Sequence, residues 1–377
     1  MKNELIIKIV SVVVFLAVSV GVIIYANTDR PKYTITEDSG VEFETARVLS
    51  VIEDNTTADE EIENVKKGSA ELEVELLTGR YKGDVCHTTN YYSALYNVDV
   101  QKGDKVSVRV DTTDVGVYSV SIYNYNRIPL TIGLVLVFFA VLVIIGGKQG
   151  LKAFLGLVYT VVVIIFVLLP LVLKGFAPIP LTIAIVFITS AICFLLIGGI
   201  QKKTVAAAFG SLAGVLVAAI LGEIAAKIGG VTTFQMDEAE ALLLVKSNFP
   251  LNMRGLFTSG ILIAAMGAVM DIAMSIASAI GEVHEANAKL GFKELFEAGM
   301  NIGRDAMGTM ANTLVLAYVG GSLNMMVLIY SYGVSFTQLV NTDFVAIELI
   351  RATAGSIGII GTVPCVSAVA GWLYSKK

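Results

Sequence analysis

Long apolar segments separated by short polar connections dominate the chain. Each is close to the ~20 residues that a helix needs to cross about 30 Å of hydrocarbon. The first covers residues 5–25. The later ones cover residues 129–147, 151–173, 179–200, 204–227, 256–281, 308–332 and 345–373. The pattern predicts an α-helical polytopic membrane protein with about eight transmembrane helices.

Between the first and second apolar segments, apolar and polar side chains alternate instead. The alternation is visible in the runs ARVLSVI, AELEVELLTG, DKVSVRVDT and VYSVSIYN, with turn residues between them. A period of two residues indicates strands with one buried face. We therefore expect about five short antiparallel strands in a small β-rich domain, either an OB-like barrel or a sandwich. The acidic run Glu53 to Glu63 predicts a solvated loop or helix. The alternative is a calcium site, although the spacing of its acids matches no EF-hand loop.

These patterns divide the chain into an N-terminal transmembrane anchor, a β-rich domain and a seven-helix transmembrane domain. Their boundaries are residues 1–26, 27–128 and 129–377. The alternative for the first part is a cleaved signal peptide. Its apolar core runs from Ile9 to Tyr25 and exceeds the ~7–15 residues usual in signal peptides. A cut after Ala26 would also leave Ile24 where a small residue is expected, so an uncleaved anchor is favoured.

The composition agrees with a membrane protein. Hydrophobic residues make up 55% of the chain and charged residues 16%, with a mean hydropathy of +0.75, whereas a soluble domain has about 25% charged residues. No basic patch interleaved with aromatic residues indicates nucleic-acid binding. The three cysteines and two histidines are scattered, so we expect neither a disulfide framework nor a metal site. No phosphate-cradling motif is present, and we expect no cofactor and no enzymatic activity.

Basic residues indicate the orientation in the membrane. With the N-terminus inside, those on the cytoplasmic side would be Lys2, Lys8, Lys148, Lys152, Lys202, Lys203, Lys289, Lys293, Arg304, Lys376 and Lys377. The opposite short loops would carry Arg127, Lys174, Lys246 and Arg254, with Lys227 at a helix end. Because basic residues prefer the cytoplasmic side, we expect both termini in the cytoplasm and the β-rich domain outside it.

The segment from Gly255 to Glu282 carries one carboxylate, Asp271, inside its apolar run. At helical spacing, the small and polar residues of this segment share one face: Gly260, Ala264, Gly267, Asp271, Ser275, Ser278 and Glu282. An acid at membrane depth costs roughly 2.5–3.5 kcal/mol on insertion scales, so it generally faces a partner or a water-filled cavity. Asp271 is predicted to serve a proton, a cation or a substrate; the alternative is a buried structural acid. Its expected partners are Ser275, Ser278, Arg304, Thr309 and Asn312.

Later segments carry similar polar or small faces. One consists of Asn301, Asp305, Thr309 and Asn312, and another of Glu348, Arg351, Gly355, Gly358 and Thr362. Gly210 and Gly214 form a small-xxx-small step typical of close helix contacts. Glu348 and Arg351 lie one turn apart and form either a structural ion pair or a gate. The predicted ion or substrate pathway consists of Asp271, Ser275, Ser278, Asp305, Thr309, Asn312, Glu348 and Arg351.

Two loops and two prolines modify the helical pattern. Residues 228–255 contain QMDEAEALLLVKSNF, an amphipathic segment expected on the membrane surface. Residues 284–305 predict a second amphipathic helix, either interfacial or packed against the bundle. Pro170 and Pro364 are expected to kink their helices, and the glycine-rich region around Pro364 is the best candidate for a broken or flexible helix.

Three membrane motifs resemble a known family. The runs GAVMDIAMSIASAIGEV, NIGRDAMGTMANTLVLAYVGGSL and AIELIRATAGSIGIIGTVP are similar to the YibE/F-like family of bacterial multi-pass membrane proteins. The upstream order is also similar, with an anchor, a β-rich domain containing ELEVELLTGRYKGD and KGDKV, and then the helices. The resemblance covers most of the chain. It implies an integral protein of a bacterial cell membrane, of Gram-positive type, and assigns no substrate.

Two functions remain open on these grounds. The first is a permease whose ion- or proton-linked pathway follows the polar faces of the later helices. The second is a membrane assembly or regulatory subunit whose β-rich domain, residues 27–128, binds a protein or envelope partner. Intramembrane proteolysis by Asp271 and Asp305 is disfavoured because neither lies in a GxGD-type context. The expected partners are the lipid bilayer, an ion or small-molecule substrate and a protein partner, without nucleic acid.

Overall fold

The computed structural model describes residues 17–28, 40–112, 117–236 and 238–376. The chain divides into two compact units, Met1–Pro31 with Leu142–Lys377, and Lys32–Val141. The first part of the predicted anchor and the basic residues Lys2, Lys8 and Lys377 lie outside the described residues.

The second unit contains five antiparallel strands, as the alternating pattern predicts. They are β1 (Val41–Ala58), β2 (Lys66–Leu76), β3 (Val85–Tyr92), β4 (Lys105–Thr112) and β5 (Tyr118–Tyr125), in the order β3-β2-β1-β4-β5. The long strand β1 pairs with both β2 and β4, so that Ala46 lies opposite Leu76 on one side and Val106 on the other. Two register shifts along β1 bend the strand, and the sheet curls.

Alternating side chains on β2 and β4 fill the inside of this curled sheet. Leu72 and Val74 of β2 and Val106 and Val108 of β4 are fully buried. The two edge strands, β3 and β5, lie close to each other. The Thr88 hydroxyl on β3 donates a hydrogen bond to the Val120 carbonyl on β5 at 2.7 Å. The prediction of a small antiparallel β domain is confirmed, whereas its location outside the cytoplasm stays a prediction.

The acidic run was predicted to be a loop or helix, and this prediction is wrong for its first half. Residues 53–58 form the end of β1 and pair with the start of β2. Lysines stand on the partner strand here: Thr57 lies opposite Lys67, whose ammonium group is 2.7 Å from the Asp59 carboxylate. Within the strand, Glu53 lies opposite Glu71 and Asp54 opposite Ala70, so Lys67 pairs with the acid that directly follows the strand and not with an acid inside it.

The remaining described elements are helical. They are α1 (Ala17–Asn27), α2 (Ile128–Val163), a π-helix (Ile164–Leu168), α3 (Leu169–Leu173), α4 (Pro178–Gly198), α5 (Lys202–Gly229), a short 3₁₀ turn (Thr233–Gln235), α6 (Ala239–Asn248), α7 (Leu256–Ala286), α8 (Phe292–Gly321), α9 (Leu323–Ser331), α10 (Phe336–Val340) and α11 (Asp343–Ser375). The predicted amphipathic segment of residues 228–255 contains α6. Pro170 follows the π-helix at the start of α3, where the regular helix is interrupted as predicted.

Five of the described helical stretches are long and apolar enough to cross a membrane. The number is six if α8 and α9, which are bent by 60° at their junction, form one span. The predicted segments 129–147 and 151–173 both lie in the continuous stretch Ile128–Leu173. Gly147 has a non-helical backbone there, with φ +53° and ψ −134°, and Gly150 lies directly against the carbonyl of Leu142. The helix therefore turns sharply, and the total of eight spans stays a prediction.

Helix α7 packs in a bundle with α5, α8 and α11. Its fully buried residues are Ile261, Leu262, Ala265, Val269, Ala273, Ile276, Ala277 and Ile280. Helices α5 and α11 cross antiparallel at very close range, since Gly210 meets Val366 and Gly214 meets Thr362. This is the close helix contact that the spacing of Gly210 and Gly214 predicts.

Of the two alternatives for the amphipathic helix predicted in residues 284–305, packing against the bundle is confirmed. This helix is the first part of α8, which begins at Phe292 and continues through to Gly321. Its charged first half stays in the bundle through Leu295, which is fully buried, and through Gly303, which lies against Val363 of α11. The prediction of a broken helix around Pro364 is wrong, since α11 runs through this region from Asp343 to Ser375.

Candidate functional site

The polar face of α7 is its exposed face. Gly260, Ala264, Gly267, Asp271, Ser275 and Glu282 are all exposed, and Ser278 is half-buried. No atom of a described residue lies within 4 Å of the position that a Cβ atom would take at Gly260 or Gly267. The opposite face carries the buried residues Ile272 and Ile276. The face that the sequence indicates as a helix contact is therefore open in the described part of the chain.

Helix α8 is arranged in the same way. Asn301, Asp305, Thr309 and Asn312 are exposed, while Gly299, Gly303 and Leu314 on the other side of the helix are buried. The Arg304 guanidinium donates to the Asn301 side-chain carbonyl at 3.1 Å, and the Thr309 hydroxyl donates to the backbone carbonyl of Ala306 at 2.8 Å. Asp305 and Asn312 make no hydrogen bond with any described residue, so their polar groups are available on this surface.

The register of the two helices places Asp271 at the level of Gly308 and Thr309. The helices run antiparallel, with Ile276 against Gly303 and Ile280 against Gly299. Asp271, five residues before Ile276, therefore lies at about the same depth as Gly308, five residues after Gly303. The direct bonds expected from Asp271 to Ser275, Ser278, Arg304, Thr309 or Asn312 do not occur among the described residues. Helix α7 packs against α8 through apolar side chains, and α8 against α7 through glycines. The polar faces of both helices therefore point away from this contact.

Glu348 and Arg351 form the ion pair that their spacing predicts. The Arg351 guanidinium donates to the Glu348 carboxylate at 2.8 Å, and the two side chains are only 22% and 19% exposed respectively. The guanidinium carbon also lies 5.5 Å from the centre of the Phe257 ring on α7. A paired and partly buried arginine of this kind joins α11 to α7, whereas the gating role stays a prediction.

Thr258 was missed by sequence reasoning. Its hydroxyl is almost fully buried and donates to the Glu223 carboxylate on α5 at 2.9 Å. The signal was weak, because threonine is common in membrane helices and nothing in its spacing connects it to α5. The contact shows that a second polar group of the bundle, at the end of α5, is organised by α7.

A metal centre finds no support in the described residues, where no three histidine, cysteine or acidic side chains lie together. The histidine on α7, His284, stacks at an angle on Tyr374 of α11, with 5.4 Å between the ring centres. This places His284 in helix packing.

Long apolar helices, four of them packed in one bundle, and the curled antiparallel sheet of the second unit define an α-helical membrane protein with a small β domain. A family model described as "YibE/F-like protein" matches residues 134–376, and one described as "YibE/F family N-terminal domain" matches residues 42–125. The chain belongs to the YibE/F family, which confirms the resemblance of its motifs. No curated protein matches the chain. No solved structure matches it either.

Proposed function

We propose that the chain is a permease of the bacterial cell membrane with an ion- or proton-linked pathway along the exposed polar faces of α7 and α8. One observation carries the proposal: Asp271 stands in the apolar part of α7 on the face that no described element covers. An acid on a helix surface in hydrocarbon is costly unless water or a polar partner reaches it. A water-filled pathway along this face would meet that requirement.

In this pathway Asp271 takes up and releases the proton or cation. Ser275 and Ser278 follow it on the same face, and the register with α8 adds Thr309 at a similar depth. Asp305 and Asn312 extend the polar surface along α8. Glu348 and Arg351 hold α11 against α7, or open and close the pathway at its other end. The distribution of basic residues supports an orientation with both termini in the cytoplasm and the β domain outside.

The test is flux through purified full-length protein in liposomes. Wild type, Asp271→Asn and the control Glu240→Gln, an exposed acid of α6, are compared under imposed gradients with pH- and cation-sensitive dyes. We expect flux in wild type and in the control, and none in Asp271→Asn. Normal flux in a folded Asp271→Asn protein would show that Asp271 is not the coupling residue.

A second candidate function is a membrane assembly or regulatory subunit. Three tyrosines favour it: Tyr91, Tyr96 and Tyr123 are 73%, 73% and 57% exposed around a cavity of about 340 Å³ on the β domain. Exposed tyrosines are enriched at protein interfaces. In this case a defined partner co-purifies with wild type and with Asp271→Asn, and is lost when Tyr91 and Tyr96 are both changed to Ala.

A further inference from the structure

A cavity of about 450 Å³ lies where α5 ends and α7 begins. Its polar lining comes from Glu223, Lys227, Thr232, Thr233, Arg254 and Thr258. Phe234 and Phe257 add aromatic rings. The volume falls in the range of small-molecule sites, which is about 300–1,000 Å³. Thr258 precedes Asp271 by thirteen residues on α7, which corresponds to about 20 Å along the helix. The cavity is therefore separate from the polar face around Asp271.

The negative side of the cavity is Glu223. The buried Thr258 hydroxyl donates to one of its carboxylate oxygens at 2.9 Å, which fixes the carboxylate against the wall. A carboxylate has about four lone-pair positions, so this one bond leaves most of its capacity to accept hydrogen bonds. No described cation lies within ion-pair distance of Glu223, and its charge is not neutralised by the described chain.

The positive side consists of Lys227 and Arg254. Lys227 follows Glu223 by one turn of α5, yet the two do not form an ion pair, and neither the Lys227 nor the Arg254 side chain bonds to a described residue. Two hydrogen bonds to the backbone of Met253 and Arg254 hold this segment beside the cavity. The Thr233 hydroxyl donates to the carbonyl of Met253 at 2.7 Å, and the Arg254 amide donates to the Asn252 side chain at 3.0 Å. One fixed anion and two unpaired cations thus border the same space.

We propose that this cavity binds a small zwitterion, with Glu223 receiving its ammonium group and Lys227 and Arg254 its acidic group. An anion alone would leave Glu223 without a counter-charge, and a cation alone would leave the two basic side chains without one. A zwitterion satisfies both sides. Free α-amino acids and the phosphoethanolamine headgroup of a lipid share this chemistry. Equilibrium binding at this site does not require that the protein transports anything.

The experiment uses the full-length protein in nanodiscs of phosphatidylcholine and phosphatidylglycerol. Each of the twenty amino acids, and separately glycerophosphoethanolamine, is titrated while thermal unfolding and calorimetric heat are recorded. The strongest binder is compared with its amide, which lacks the acid, and with the analogue that lacks the amine. We expect saturable binding of the zwitterion and none of either comparator. Binding of an amino acid identifies a free solute, whereas binding of glycerophosphoethanolamine alone identifies a lipid headgroup.

Two variants locate the binding. Glu223→Gln keeps an oxygen for Thr258 and so preserves the wall, while Arg254→Gln removes one cation; each is expected to weaken binding about tenfold or more. Lys246→Gln, an exposed change on α6, is the matched control and leaves binding unaltered. The proposal is overturned if none of the probes binds saturably, or if both cavity variants bind as wild type does. If Asp271→Asn loses flux but still binds the zwitterion, the cavity and the pathway around Asp271 are independent sites.

Discussion

Thr362 of α11 occupies the space that any side chain at Gly214 of α5 would need. A Cβ atom at Gly214 would overlap the Thr362 hydroxyl oxygen and would stand 2.9 Å from the carbonyl oxygen of Gly358. Because that second neighbour is backbone, it cannot move aside by changing rotamer. The contact between α5 and α11 is thus a backbone-to-backbone approach, and it holds two of the helices that support α7.

Gly214→Ala is therefore expected to destabilise the protein by about 1–3 kcal/mol, the usual cost of overpacking a well-packed contact. Gly133→Ala is the control, since no described residue comes within 4 Å of the added methyl group at that helical position. Thermal unfolding of the purified protein in one detergent compares the two. Equal unfolding temperatures for both variants would contradict the close contact.

The ion pair on α11 gives a second prediction. Removing one partner leaves the other charge partly buried and unpaired, so Glu348→Gln and Arg351→Gln are each expected to cost about 1–3 kcal/mol. The double variant should cost less than the sum of the two, because neither charge is then left alone. Unfolding of all four proteins in denaturant measures the coupling. Additive losses would mean that the pair contributes nothing beyond its separate side chains.

The alternation of apolar and polar residues predicted the strands whose buried side chains are apolar. It did not reveal the strand whose buried side chains are polar, β3. Leu72 and Val74 alternate with glutamates, and β2 is evident from them. The inward residues of β3, Thr88 and Asn90, are polar and therefore do not stand out in its sequence, VCHTTNYY. Both are buried, and their side chains donate hydrogen bonds to the carbonyls of Val120 and Val98 respectively. Partners distant in sequence satisfy these groups, and a local pattern contains no information about them.

The polar faces show a different limit. Helical spacing correctly groups Asp271 with Ser275 on one side of α7, because residues four apart share a face. It does not say which face the neighbouring helices cover. That depends on Gly299 and Gly303 of α8, which allow close packing against the opposite, apolar side of α7. The charged first half of α8 likewise concealed that the helix is continuous, since its buried described residues are one leucine, Leu295, and two glycines, Gly299 and Gly303.

Helix α1 is fastened to the rest of its unit, which gives a third prediction. The Lys174 ammonium group donates to the carbonyls of Thr28 and, at 2.9 Å, Tyr25, and the Asn27 side chain donates to the Phe166 carbonyl at 2.8 Å. Losing the charged bonds in Lys174→Met should cost about 1.5–3 kcal/mol of local stability. Amides of residues 17–28 should then exchange hydrogen at least about tenfold faster.

Lys246→Met is the control for that measurement, because it changes an exposed lysine on α6. The same mass spectra test the anchor itself. Peptides from residues 17–28 are expected in the mature protein, and their absence would favour the cleaved signal peptide. Equal exchange in both variants would show that Lys174 does not hold α1.

The last prediction concerns pH and the β domain. Lys67, together with the backbone N–H groups of Glu61 and Ile62, holds the pKa of Asp59 below its ordinary value, with Lys67 the largest cause. A carboxyl whose pKa is lower in the folded state stabilises the fold above its unfolded pKa of about 3.9, and this contribution is lost as the pH falls through the folded pKa.

Lys67→Gln should therefore raise the pKa of Asp59 toward 3.9, about the ordinary value for Asp, without reaching it, since the two N–H donors remain. Because the folded-state pKa is then higher, the stabilisation from Asp59 is lost at a higher pH than in wild type. Carbon-detected NMR of aspartate-labelled full-length protein follows the carboxyl directly, with Lys82→Gln as an exposed control of equal charge change. An unchanged Asp59 pKa in Lys67→Gln would mean that the backbone N–H donors of Glu61 and Ile62 alone depress it.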